Sequence, residues 1–173
     1  DPIGFQNFNL TASYTPNRLL AENERLHLGL EYSHFGFEAS ASLNNSDFYD
    51  LFGPTKSSRK GYALGVRYRA NLIYDNPEVM DYNVYANYYG NLQTLPSYQN
   101  INATYDRLFN TGFTLNYKDL RASLGAVDYE KGYKWRVNLS NNLVVETFFP
   151  RIYTNLDYGF ALPLNHSSIW LRS

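Results

Sequence analysis

The chain has no cysteine among its 173 residues, which excludes disulfides, thiolate metal sites and a cysteine nucleophile. It also has no basic surplus. Fifteen Lys and Arg stand against 16 Asp and Glu, so nothing is left over to neutralise phosphates, and nucleic acid is not an expected partner. No run approaches the roughly 20 apolar residues of a membrane helix. No secretory leader precedes Asp1, so for an exported protein the expectation is a mature form or an excised piece. A Gly-rich phosphate loop, an HExxH pair and a CxxC pair are missing too. Methionine occurs once.

What is present is aromatic: 17% of the chain, carried by 17 Tyr and 11 Phe, with abundant Asn and a mean hydropathy of −0.46. A length of 173 residues predicts one domain with no second one. The stretch "GYALGVRYRANL", residues 61–72, shows how the aromatics are used. Tyr62, Leu64, Val66, Tyr68, Ala70 and Leu72 share one face, and Gly61, Ala63, Gly65, Arg67, Arg69 and Asn71 share the other. Period-2 alternation of this kind is a strand with one apolar and one polar face.

The same period predicts about ten strands and the start of an eleventh. They fall near 5–14, 25–33, 35–43, 61–72, 80–89, 107–117, 120–127, 133–140, 142–149 and 155–162, and "IWLRS" at 169–173 begins the next. No useful length shows a 3.6 period, so the expected class is all-β. The expected connections alternate in length. Those at 15–24, 44–60 and 90–106 are long, those at 128–132 and 150–154 medium, and those at 33–34, 73–79, 118–119 and 140–142 short.

An antiparallel up-and-down barrel in an outer membrane has this alternation, with short turns at one end and longer loops at the other. The polar faces agree. They are Gly, Ser, Asn and Thr with a few charges, rather than the Lys/Glu mixture of a solvated surface. Glu31, Glu38, Arg67, Arg69, Arg121 and Arg136 are the expected lumen-lining charges. Tyr14, Tyr32, Tyr62, Tyr117, Tyr133 and Trp135 lie near strand ends on the apolar faces, as an interfacial aromatic girdle would. Single-chain bacterial barrels have even strand counts, and an open sheet in lipid would leave backbone unpaired. The chain is therefore expected to be part of a barrel of roughly twelve or more strands, completed by further segments or subunits. The alternative is a soluble β-barrel that binds an apolar ligand among the same tyrosines and leucines.

The segment "NNSDFYDLFGPTKSSRK", 44–60, is the most distinctive connection. Asp47 can start a helical turn that Gly53-Pro54 ends, and Phe48, Tyr49, Leu51 and Phe52 would then form a plug or partner contact. Within it, "DFYDLFGPTKSSRKGYALGVRY", residues 47–68, resembles a stretch in the C-terminal barrels of large Gram-negative outer-membrane proteins with an N-terminal TolB-like β-propeller, the surface-antigen type. The resemblance covers about 22 residues and implies an outer-membrane anchor or pore for a periplasmic propeller. It implies no catalytic residues. The arginine-glycine-aromatic motif of the related assembly barrels is not matched, since "EKGYKWR" at 130–136 has Lys131 in place of the arginine.

Enzymatic readings have little to stand on. His27, His34 and His166 are isolated, and His166 beside Ser167 would point to the opposite face from it along a strand. Asp47 and Asp50 are one helical turn apart, which by itself makes neither a protease nor a metal site. The expectation is thus a non-enzymatic section of a bacterial outer-membrane barrel, serving as pore, membrane anchor or secretion and assembly conduit. Membrane lipid is its expected neighbour, and no cofactor or metal is called for.

Overall fold

The computed structural model describes residues 6–16, 22, 25–44, 61–92 and 105–173. Nine strands make up the described fold: β1 (Asn7–Tyr14), β2 (Leu26–His34), β3 (Phe37–Leu43), β4 (Tyr62–Asp75), β5 (Glu78–Gly90), β6 (Leu108–Arg121), β7 (Lys131–Val144), β8 (Thr147–Ala161) and β9 (Ser168–Arg172). They form one antiparallel sheet in sequence order, each strand beside its chain neighbours. β1 and β9 are its edges, and no pairing joins them among the described residues.

The register keeps the two faces apart. Leu10 opposes Leu30 and Tyr14 opposes Leu26, while Asn9 opposes Glu31 and Ser13 opposes His27. Leu30 then meets Ala41 and Glu31 meets Ser40. Next, Ala41 meets Leu64 and Glu38 meets Arg67. A slip of one residue anywhere would put apolar against polar along the whole strand, so the alternation itself pins the register.

By contacts the chain divides into two compact units. The first takes residues Asp1–Tyr68, Tyr85–Thr111 and Asn141–Phe149; the second takes Arg69–Val84, Gly112–Ser140 and Pro150–Ser173. Strands β1 to β3 belong wholly to the first and β9 to the second. Neither unit holds a conventional apolar core. Among the described residues the buried apolar side chains are Val79, Leu92 and Leu108 alone. The apolar face instead lies open: Leu10, Leu64, Leu72, Ile152, Leu156 and Leu171 are all more than half exposed. In β8 the inversion is plainest, with Asp157 6% exposed between Leu156 at 51% and Tyr158 at 50%.

Two expected strands require correction. Residues 120–127 do not form one: β6 runs unbroken through 118–119 to Arg121, and 122–130 is a connection. There Gly125 adopts φ +85°, and the Ala126 N–H donates to the Ser123 carbonyl at 3.1 Å, closing a turn across the apparent alternation. The expected strand at 142–149 is a hairpin. β7 continues through 140–142 to Val144, Val145 and Glu146 turn with φ 45° and 65°, and β8 continues through 150–154. Two positive-φ residues in a two-residue loop match the right-handed twist of the flanking strands. The eleventh start is β9, so the described count is nine. The alternation of long and short connections holds as far as β6. Beyond it the tight turn follows β7, and the longer connections, 122–130 and 162–167, follow β6 and β8.

Candidate functional site

The polar face gathers most of the charges, and each unit has its own arrangement. In the first, the Arg67 guanidinium lies 3.4 Å from the Glu38 carboxylate directly across the β3–β4 pair. The two side chains are 45% and 39% exposed, so the pair faces water and is worth under about 1 kcal/mol. They line an open concavity of about 400 Å³ with Asn7, Glu31, Ser33 and Asn87. Gly65 also lines it, and the Ser40 and Asn87 side chains close over that glycine, so a Cβ there would come within 2.6 Å of Ser40 Oγ and 2.7 Å of Asn87 Oδ1. Glu31 makes no ion pair among the described residues.

In the second unit, side chains bridge one strand after another. Arg136 Nε donates to Asn116 Oδ1 at 2.7 Å, and Asn116 Nδ2 donates to Asp81 Oδ1 at 2.8 Å, linking β7, β6 and β5. Asn138 donates to Thr114 at 2.9 Å in the adjacent rung. Further along, Asp157 on β8 takes Lys134 Nζ at 3.1 Å and Arg172 Nε at 3.8 Å. The side-chain oxygens of Asn83 and Asn155 are enclosed with no protein donor, as is Asn141 in the first unit. An enclosed amide oxygen without a donor costs about 1–3 kcal/mol unless water or a solute supplies one.

The aromatic residues expected as a girdle cluster on the apolar face. Tyr62 and Tyr88 lie 6.0 Å apart in the first unit. In the second, Tyr117 stacks on Tyr133 at 5.4 Å and on Trp135 at 5.6 Å. The Tyr117 hydroxyl donates to Glu78 at 2.9 Å, so the rings show an apolar body and a satisfied polar tip.

Two of the histidines find partners, while His34 packs its ring 4.1 Å from Phe35 with its buried Nδ1 unbonded among the described residues. His27 donates from Nδ1 to the Asn44 carbonyl, which can only accept, and its Nε2 lies 3.1 Å from the Thr15 hydroxyl. Asn44 in turn bonds Leu26 and Gly61, so His27 fastens the ends of β2, β3 and β4. His166 meets neither Ser167 nor Ser168 but a carboxylate from another connection. Its Nδ1 lies 3.2 Å from Glu130 Oε1 and 3.5 Å from Ser123 Oγ. Glu130 Oε2 accepts both the Ser123 hydroxyl and the Ser123 N–H, the latter at 3.0 Å. The Ser123 donors, and then His166, hold the Glu130 carboxyl below its ordinary value of 4.5. One histidine nitrogen reaches both partners and the serine proton goes to the carboxylate. This geometry ties connections 122–130 and 162–167 together; it is not a serine–histidine relay.

Of the six charges expected to line a lumen, Glu31, Glu38 and Arg67 come together and Arg136 joins the cross-strand rungs. Arg69 belongs to the second unit and has its own contacts. Arg121, the last residue of β6, pairs with Asp119 two residues back at 3.3 Å. Asp47, Phe48, Tyr49, Asp50, Leu51 and Phe52 lie outside the described residues. Among these, no group of three metal-ligating side chains occurs. Asp81, Lys134 and Arg172 were not anticipated as members of the rungs, although Asp81 and Lys134 carry the polar parity of their strands. The Ser123–Glu130–His166 group had no sequence signal, since its members lie far apart in two connections. Comparison with family models, curated proteins and solved structures returns no significant match.

Proposed function

We propose that this chain is a section of a bacterial outer-membrane β-barrel that acts as a pore, membrane anchor or conduit. Its apolar face meets lipid and its polar face lines a hydrated interior. The carrying observation is the inversion of burial. Each Leu, Val or Phe left in water forgoes about 1.5–3 kcal/mol, and soluble monomers rarely expose apolar patches beyond a few hundred Å². Here the exposed apolar side chains run from β1 to β9 on one face, while Asp157 is enclosed on the other.

Three further features support the reading. Strands β2 to β8 each bond a neighbour on both sides, the pattern a chain in hydrocarbon needs. The Tyr117, Tyr133 and Trp135 stack has the amphipathic form of interfacial aromatics. The donorless oxygens of Asn83 and Asn155 suit a face that holds water.

The test is spin labelling at Leu64, Gly65, Val66 and Arg67, one cysteine at a time, in lipid vesicles. Labels at 64 and 66 should be relaxed by oxygen, and those at 65 and 67 by a water-soluble reagent. If 64 and 66 are shielded from both, the apolar face is covered by protein or ligand and the membrane reading is wrong.

A further inference from the structure

We infer that the hollow beside Gly65 is a binding site for a neutral saccharide. The inference rests on the proposed function only in taking the polar face to meet water, and the described lining of the hollow belongs wholly to the first unit. The register builds it as two rungs. Asn7, Ser33, Glu38 and Arg67 stand opposite one another across β1 to β4, and Glu31, Ser40 and Gly65 stand in the next rung across β2 to β4. Asn87 of β5 reaches in beside Ser40 over Gly65, whose missing side chain leaves room for both. The hollow measures about 400 Å³, inside the range of roughly 300–1,000 Å³ for small-molecule sites.

Its polar groups are uncommitted, which sets it apart from the rest of the sheet. In the same unit the Asn110 amide donates to Asn142, and in the other Arg136, Asn116 and Asp81 form a chain of donors and acceptors. In the hollow Arg67 and Glu38 pair, but the side chains of Asn7, Glu31, Ser33, Ser40 and Asn87 bond no described residue. A ligand for this set must donate and accept at close intervals. Glu31 offers acceptors alone, Arg67 donors alone, and the two asparagines and two serines offer both. An ammonium group only donates, so it would leave the amide and guanidinium N–H groups unmet. An anion would meet Glu31 and Glu38, and an apolar ligand would strand every polar group. A sugar hydroxyl donates once and accepts twice, so a ring of neighbouring hydroxyls answers all three kinds. Two adjacent hydroxyls donate to the two Glu31 oxygens, a charge-assisted and therefore stronger contact. Asn7, Asn87 and the Arg67 N–H groups not turned to Glu38 donate to the hydroxyl oxygens.

The test is side-chain amide NMR on the 173-residue chain in phospholipid nanodiscs, with isotope-labelled asparagine assigned by single substitution. Glucose, galactose, mannose and maltose are each titrated to about 100 mM, far above a Kd of order 1 mM. Ethylammonium, acetate and glycine are the charged controls. The Asn7 and Asn87 amides should shift together with at least one sugar and with no control. Glu31→Ala should weaken that Kd about tenfold, the loss expected of a hydrogen bond to a charged group. Asn138→Ala, whose amide already serves Thr114 in the second unit, should leave it unchanged. No response to any of the four sugars overturns the inference. So does a response that Glu31→Ala leaves undiminished, or one that ethylammonium or glycine reproduces. Should Glu31→Ala not fold, the unsubstituted chain decides by its response to sugars against controls. Oxygen accessibility at positions 64 and 66 in the same discs separates the two levels. Access kept with no sugar response removes the saccharide site alone; access lost with a sugar response removes the membrane alone.

Discussion

Gly132 leaves the backbone least choice of any residue in the sheet. Its φ is +125°, and a Cβ there would sit 2.0 Å from the Asp119 carbonyl oxygen. Both obstacles are backbone, so no rotamer change relieves them. Gly132→Ala should cost at least about 1–3 kcal/mol from conformation alone, read as a lower urea midpoint in lipid. Gly159 makes the contrast. A Cβ there would meet the Trp170 indole at 2.5 Å, a side chain that can swing away. Gly159→Ala should therefore be the milder change, and Trp170→Ala in the same chain should recover part of the loss. Equal losses at the two glycines, with no recovery, would contradict this account. Glu130 yields the prediction for pH. Its folded carboxyl titrates below the ordinary 4.5, so its contribution is present above that value and disappears as pH falls through the folded one. Exchange protection of 122–130 and 162–167 should fall together under acid, and Glu130→Gln should flatten that dependence.

Elements were legible where two strands could use one rule. Over 61–72 the alternation matches β4, and its apolar and polar sets are those the register keeps apart. Turns were legible only where their residues advertise them. The turn expected at 33–34 lies two residues later, at Phe35-Gly36, where a glycine at φ 79° lets the chain reverse, and β2 runs on through His34; Val145-Glu146 makes its turn from a β-branched residue and an acid, neither of which favours positive φ. The strand reading of 142–149 therefore ran straight over a hairpin. The error at 120–127 is of another kind: "RASLGAVD" alternates by composition, but no partner strand uses it. The polar face was half legible for the same reason. Parity along one strand places Glu38 and Arg67 correctly, while cross-strand rungs depend on registers that no single strand encodes. Asp157 shows what such a rung is worth. Its enclosed carboxylate joins β7, β8 and β9, and Asp157→Asn leaves Lys134 and Arg172 adjacent without a counter-charge. A loss of about 2 kcal/mol is expected, as for hydrogen bonds to charged groups, shown by faster exchange in β9. Lys134→Met combined with Asp157→Asn should lose less than Asp157→Asn alone.

For the whole molecule, the distribution of charge on the polar face separates a conduit from an anchor. Among its described lining residues the hollow beside Gly65 holds two carboxylates, Glu31 and Glu38, and one cation, Arg67. The rungs of the second unit hold Asp81 and Asp157 against Lys134, Arg136 and Arg172, a surplus of one positive charge. Neither sign dominates, so the net preference of a conducting interior would be small and easily tipped. If the interior conducts, Arg67→Gln with Arg69→Gln should shift the reversal potential in planar bilayers toward cations. Glu31→Gln should shift it toward anions, each by roughly two-fold in permeability ratio. Glu31 is the more telling, because it has no ion pair to break among the described residues and its removal should leave their stability unchanged. Opposite shifts from the two variants require ions to pass along this face. Unaltered potentials, with the spin labels still reporting lipid at Leu64 and Val66, would leave the sheet in the membrane and its interior closed. The charges would then be cross-strand fasteners, and the chain an anchor for whatever it is joined to.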